Sequence, residues 1–204
     1  MIKPAKIFAV VLPITLSACV SLFPEPESAD AIYRLSSAGE TVIADDNAVV
    51  LRVDRPIAST VLSGRDIVIS REDRELVTAG GARWAEAIPA LIQQSVLDEI
   101  RQRKTIVGVE PTAGARADFR MSLTVRNFEV TFDNGEDNPP LAIVQYSVTV
   151  SNASTRKLNS TYDVRKTVRA NEARVSSIVE ATDTANSQAV GDIADWLESL
   201  TYKS

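Results

Sequence analysis

Cysteine occurs once in this chain, at position 19, and histidine does not occur at all. These two counts, with what precedes the cysteine, constrain the chain more than any other feature. A lone cysteine forms no internal disulfide, so the fold must hold by burial and hydrogen bonding. Without imidazole there is no Ser-His-Asp triad, no Cys-His dyad and no histidine-ligated metal centre. Upstream of Cys19, Met1 to Lys6 carries two lysines and no acid, and Ile7 to Leu16 is an apolar run interrupted by Pro13. Leu16-Ser17-Ala18 then leads into the cysteine. Basic, then apolar, then small residues is the order of a secretory signal. The apolar run is about half of the ~20 residues that a membrane-spanning helix needs. Residues 1–18 therefore read as a leader that takes no part in the fold.

The chain has 204 residues, enough for a leader and one ordinary domain with its own core. Its formal charge is −5, and loss of Lys3 and Lys6 with the leader takes it to −7 (−5 minus 2). An acidic domain repels phosphate backbones and anionic lipid headgroups, so nucleic-acid binding and broad electrostatic adhesion to membranes are disfavoured.

Residues 19–31 read as a tether. Ser21 to Asp30 alternates prolines with glutamates, which favours an extended, hydrated chain. Fully stretched, Cys19 to Ile32 reaches roughly 40 Å. Only Leu22 and Phe23 offer large apolar side chains for docking back onto the domain.

The domain occupies residues 32–204. Ile32 to Leu35 and Val49 to Val53 have strand composition, the second ending before Pro56. Ile67-Val68-Ile69 and Glu75-Leu76-Val77 flank a charged turn at Arg71 to Arg74, as in a hairpin. After Gly80-Gly81 the period turns helical: Trp84, Ile88, Leu91, Ser95 and Glu99 share a line, with Ile92, Val96 and Ile100 beside it. Pro89 fits that helix only in a first turn, so a break or a start is expected near Ile88. Ile106 to Val109 is a short strand. Phe119, Met121, Leu123 and Val125 alternate, then parity flips to Phe128, Val130 and Phe132, the signature of a β-bulge at Arg126-Asn127. Val144 to Val150 alternates and pairs with Tyr162, Val164 and Val168 across a polar connection. Ile178, Thr182, Ala185, Ala189, Ile193, Trp196 and Leu200 mark a C-terminal amphipathic helix from about Ser177. Ser176 or Ser177 is its expected cap, and Ser177/Glu180 has capping-box spacing. The predicted class is α+β: a mostly antiparallel sheet with two principal helices, central and C-terminal, packed on one face.

Candidate sites for chemistry are poor. Asp133 to Asn138 is acidic, but its glycine stands third and Pro139-Pro140 interrupts it, so a solvated turn fits better than calcium ligation. Gly80-Gly81 lacks the lysine and hydroxyl of a phosphate loop and reads as a strand-to-helix turn. Glu72/Asp73 and Asp192/Asp195 are carboxylate pairs in surface-patterned stretches, where solvation explains them better than glycosidase chemistry. No Ser-x-x-Lys motif accompanies a candidate nucleophile. Arg165, Lys166 and Arg169 form a basic patch in which Arg165 and Arg169 share a strand face. It suits edge protection first and an acidic partner second. No catalytic residue, metal or cofactor is expected.

Leu16-Ser17-Ala18-Cys19 resembles the bacterial lipobox. That resemblance implies cleavage between Ala18 and Cys19, a thioether-linked diacylglycerol on Cys19 and a further acyl chain on its new amine. Several chains anchor stably, at ~0.8 kcal/mol per buried methylene. Val20, rather than an aspartate, follows the cysteine, which under enteric-type sorting implies the outer membrane.

The domain resembles the ABC-type transport auxiliary lipoproteins, which include the PqiC/YmbA-type proteins. After the lipobox come Tyr33-Arg34-Leu35, then Leu62 to Ile69, similar to the family's Leu-Asp-Arg-Pro-Gln-Ile-Val stretch. Arg83-Trp84-Ala85-Glu86-Ala87-Ile88-Pro89 follows, similar to its Arg-Trp-Ala-Glu-Pro-Leu segment. Ser63-Gly64 and Asp66 depart from the pattern. The resemblance implies a non-enzymatic periplasmic domain, lipid-anchored at the outer membrane. It would serve an ABC transporter whose MCE-domain substrate-binding protein moves phospholipid or other hydrophobic molecules across the envelope. A homo-oligomeric ring would suit that role, and direct lipid binding by the domain is the alternative.

Overall fold

A computed structural model describes residues 30–37, 39–71 and 75–200. Strands β1 (Ala31–Tyr33), β2 (Val49–Val53), β3 (Asp66–Ser70) and β4 (Leu76–Trp84) come first, followed by helix α1 (Ile88–Ile100). Then come β5 (Ile106–Val109), β6 (Phe119–Thr131), β7 (Leu141–Asn152), β8 (Leu158–Arg169) and helix α2 (Val175–Ser199).

The sheet is built around β6. One flank of β6 carries β7 along its whole length, and β8 continues beyond β7. The other flank is shared. Leu51 to Val53 of β2 lies beside Phe119 to Met121, Ile69 and Ser70 of β3 lie beside Val130 and Thr131, and Ile57 bridges to Thr124 between them. β5 lies outside β2, while β4 and then β1 lie outside β3. This corrects the expected sheet. Of the seven pairings between these strands, four are parallel (β1/β4, β2/β5, β2/β6 and β3/β6) and three antiparallel, so the sheet is mixed. The antiparallel pairs join neighbours in sequence, which turn residues reveal. The parallel pairs join distant segments such as Leu51 and Phe119, for which local alternation carries no signal.

Alternation puts one face of β6 and β7 into the core: Phe119, Met121, Leu123, Val125, Phe128 and Val130 with Ala142, Val144, Tyr146, Val148 and Val150. The ladder shifts between Val125 and Asn127, which keeps Phe128 and Val130 on the buried side, as the parity flip predicts. Both helices cover this face, and the segment between β1 and β2 straps over them. Ser36 N–H donates to Asp183 (2.9 Å), and the amides of Val42 and Asp45 donate to the Arg101 and Lys104 carbonyls (2.9 Å each). β5 presses closely on α1. A Cβ on Gly108 would sit 3.1 Å from side-chain carbons of both Leu97 and Ile100.

Three local readings change. Gly80 and Gly81 lie inside β4, with Gly81 at φ +70, rather than in a strand-to-helix turn. Trp84 ends β4 and is not on the helix, which starts at Ile88 with Pro89 in its first turn. The Ile88 amide is satisfied by the Gly64 carbonyl at 2.9 Å. Finally, α2 starts two residues earlier than Ser177, with Arg174 at the N-cap and no side-chain cap. Ser177 is thus buried in the first turn, and its hydroxyl accepts from Arg174 Nε (3.4 Å) instead of capping the backbone.

A polar chain crosses the core from layer to layer. Tyr146 Oη on the sheet donates to Asn186 Oδ1 of α2 (2.7 Å), and Asn186 Nδ2 donates to Ser95 Oγ of α1 (2.8 Å). Burial pushes the Tyr146 phenol well above its ordinary range, so it remains a donor at neutral pH. Asn186 is fully buried and fixes the spacing of both helices over the sheet. Asn186→Leu is expected to destabilise the domain by about 1–3 kcal/mol for each hydroxyl left without its partner. Denaturant melts check this, and in a Tyr146→Phe background the same substitution should cost distinctly less.

Candidate docking surfaces

Among the described residues, the polar side chains singled out from sequence are not gathered into a reactive site. Arg169 of β8 donates to both carboxylate oxygens of Asp133, at 2.8 Å through Nη2, and to the Pro139 carbonyl at 3.1 Å. It ties the acidic loop to the sheet edge. The Arg169 hydrogen bond holds the Asp133 carboxyl below the usual carboxylate range. Gly135 takes a positive φ of 89° at the loop's turn, and Asn138 Nδ2 closes it onto the Asn134 carbonyl (2.7 Å). The Asp133 contact stabilises the fold above the ordinary aspartate pKa and is lost as pH falls through the lowered value. NMR titration should place the Asp133 midpoint below that of an unpaired aspartate, and Arg169→Gln should raise it back.

The other candidates also find separate partners. Lys166 lies on the helix side and meets Asp192 of α2 at 2.6 Å. Asp195 pairs with Arg103 at 2.9 Å, so Asp192 and Asp195 serve different cations. Arg165 stays with Arg169 on the opposite face, as the alternation predicts, and donates to Gln145 at 3.4 Å. Glu72, Asp73, Ala18 and Cys19 lie outside the described residues. The face of the sheet away from the helices is polar. Across it, Arg126 donates to Ser147 (3.1 Å), Ser147 donates to Asp163 (2.5 Å), and Arg52 and Arg120 both pair with Asp54. β8 pairs only with β7 among the described strands and forms one sheet edge.

Sequence reading missed an apolar groove of about 750 Å³ at one end of the sheet. Its floor is Ile69 of β3, Val77 of β4 and Phe132 after β6, and its rim is Arg71, Glu75, Gly135 and Glu136. Ile69 pairs with Val77 and with Val130, so Ile69 and Val77 point to the helix-covered side of the sheet. Two residues on, Phe132 follows in the same phase. No described lining residue belongs to a helix. The groove is therefore a stretch of core-facing sheet that the helix layer leaves open. No single segment announces it, because its three floor residues come from two strands and the loop after a third, and meet only through register. The chain enters the domain along the outer side of β4, at the end of that strand away from the groove. Asp30 pairs with Arg83 at 3.5 Å, and β1 runs parallel to β4, with Ala31 opposite Ala82 and Tyr33 opposite Trp84.

The family model for the ABC-type transport auxiliary lipoprotein component matches residues 33–194, from the end of β1 to within α2. The chain belongs to this family. Solved structures share its fold. The protein XCC0632 from Xanthomonas campestris, of family DUF330, superposes with a TM-score of 0.70 at 17% identity, covering 82% of this chain and 94% of that one. A second, uncharacterized protein gives a TM-score of 0.67 at 14% identity, covering 83% and 99%. A hypothetical protein from Chlamydia trachomatis, CT253, gives 0.50 at 8% identity, covering 75% and 97%. No curated protein matches the chain. Membership makes this a lipoprotein component of a transport system. The family match takes in both helices' core-facing residues Ser95 and Asn186 as well as the groove.

Proposed function

We propose that this family member is a non-enzymatic adaptor, held by acylated Cys19 on the periplasmic face of the outer membrane. There it docks the conduit of an ABC transporter that uses an MCE-domain protein to move phospholipid or other hydrophobic molecules. The observation that carries this reading is the coincidence of a family match across the folded domain with a lipobox cysteine about a dozen residues before β1. Val20 after the cysteine supports the outer-membrane address. The internal pairing of Asp133, Asp192 and Asp195 supports a role in contact rather than reaction. A ring of copies would cap such a conduit.

The groove of Ile69, Val77 and Phe132 favours a second reading, in which the domain itself holds lipid. Gentle solubilisation of the anchored protein followed by affinity isolation should recover the MCE-domain protein in stoichiometric amount. Native mass spectrometry of the isolated domain should show no retained lipid. Retained phospholipid, with no MCE-domain protein recovered, would replace the adaptor by a lipid carrier.

A further inference from the structure

We propose that the tether docks onto its own domain, seating Leu22 and Phe23 in the groove formed by Ile69, Val77 and Phe132. Direction is the first argument. β1 is parallel to β4 and pairs with it only from Ala82 to Trp84. Residues that precede Ala31 therefore leave the domain heading back along β4, toward Leu76 and the groove. That stretch of β4 has no strand paired on its outer side among the described residues. At Gly80 and Gly81 nothing lies within 4 Å of where a Cβ would stand, so another backbone can approach closely.

Length is the second argument. Ala82 to Val77 is about 17 Å of strand, while Phe23 to Asp30 reaches roughly 25 Å. Phe23 can thus arrive at the groove with chain to spare for turning over the sheet edge. Chemistry is the third. Among residues 21–30 the large apolar side chains are Leu22 and Phe23, and the groove floor is apolar and in phase with the core. Pro24 and Pro26 donate no backbone N–H, so the segment is held by its side chains rather than as a regular added strand. The apolar occupant is already covalently present at high local concentration, which favours it over a free lipid or a second copy.

Docking shortens the anchor. Phe23 lies only four residue steps, roughly 13 Å, from Cys19. The membrane-facing consequence rests on the acylation proposed above, while the docking itself does not. The groove end then faces the membrane, and the hairpin between β7 and β8, roughly 36 Å away along β7, projects toward the periplasmic partner.

Engineered disulfides test this in the full chain expressed in the periplasm, where acylation of Cys19 leaves the new thiols to pair. Phe23→Cys with Val77→Cys should link within one chain at least ~10-fold faster than Phe23→Cys with Ser154→Cys at the far hairpin. Linked peptides identified by mass spectrometry, in a mixture of isotope-labelled and unlabelled copies, report whether the link is within or between chains. Equal rates for the two pairs, or links only between copies, overturn the proposal. A second readout needs no change in the domain. Phe23→Ser should speed proteolysis after Glu27 about fivefold or more, because docking protects it. Unchanged cleavage, or phospholipid found in the groove with the tether intact, overturns it as well. Fatty-acid labelling of Cys19 in the same samples separates failure of docking from failure of the lipoprotein reading.

Discussion

Trp84→Ala is expected to destabilise the domain by about 3–5 kcal/mol, the range for emptying a large aromatic site in a core. Trp84 is 1% exposed at the end of β4, where its ring meets Phe128 edge to face with centroids 5.7 Å apart. Its backbone is fastened as well. The Trp84 amide donates to the Arg65 carbonyl at 2.7 Å, and Arg65 Nε donates back to the Trp84 carbonyl at 3.1 Å. Tyr33 of β1 lies opposite it in the ladder. The site therefore joins β1, β4, β6 and the residue leading into β3, and these elements cannot collapse into the void without breaking the ladders. For a domain of this size the loss corresponds to a fall in Tm of roughly 6–20 °C. A Tm within a degree or two of the parent would contradict the burial described here.

Cys19→Ala should abolish acylation and leave the precursor uncleaved. The thioether requires the cysteine sulfur, and the lipobox resemblance implies that only a lipidated cysteine is processed. The effect is all or none because the mature chain has no other thiol. Metabolic labelling with a tagged fatty acid reads it directly. Equal label in the variant and the parent would rule out Cys19 as the anchor.

Trp84 also shows where sequence reading reached its limit. Its spacing to Ile88 and Leu91 is helical, yet Trp84 and Ile88 are buried from two different elements, and Leu91 is only partly buried. Periodicity reports which residues go inside, not which element carries them. Where both kinds of evidence were local, they sufficed. The β6–β7–β8 meander, its bulge at Arg126-Asn127, the start of α1 at Ile88 and the long C-terminal helix all follow from alternation, parity and proline. The parallel half of the sheet does not, because its partners lie up to 68 residues apart, as Leu51 and Phe119 do (119 minus 51). Asn186 left a trace that went unused. It is a polar residue beside Ala185 in the apolar face of α2, where a buried amide requires partners. The groove left none, since Ile69, Val77 and Phe132 look like ordinary strand residues until register brings them together.

In the proposed adaptor role, the anchor would act through effective concentration. A domain confined to a thin layer beside the membrane meets a membrane-bound conduit as though at high concentration, so a weak contact holds. The most direct measurement is complementation of a deletion strain for envelope integrity under detergent stress. It compares the acylated protein with a periplasmic version carrying an ordinary cleavable signal and no Cys19, at matched expression. Rescue is expected from the anchored protein and little or none from the soluble domain. Full rescue by the soluble domain would contradict the adaptor role.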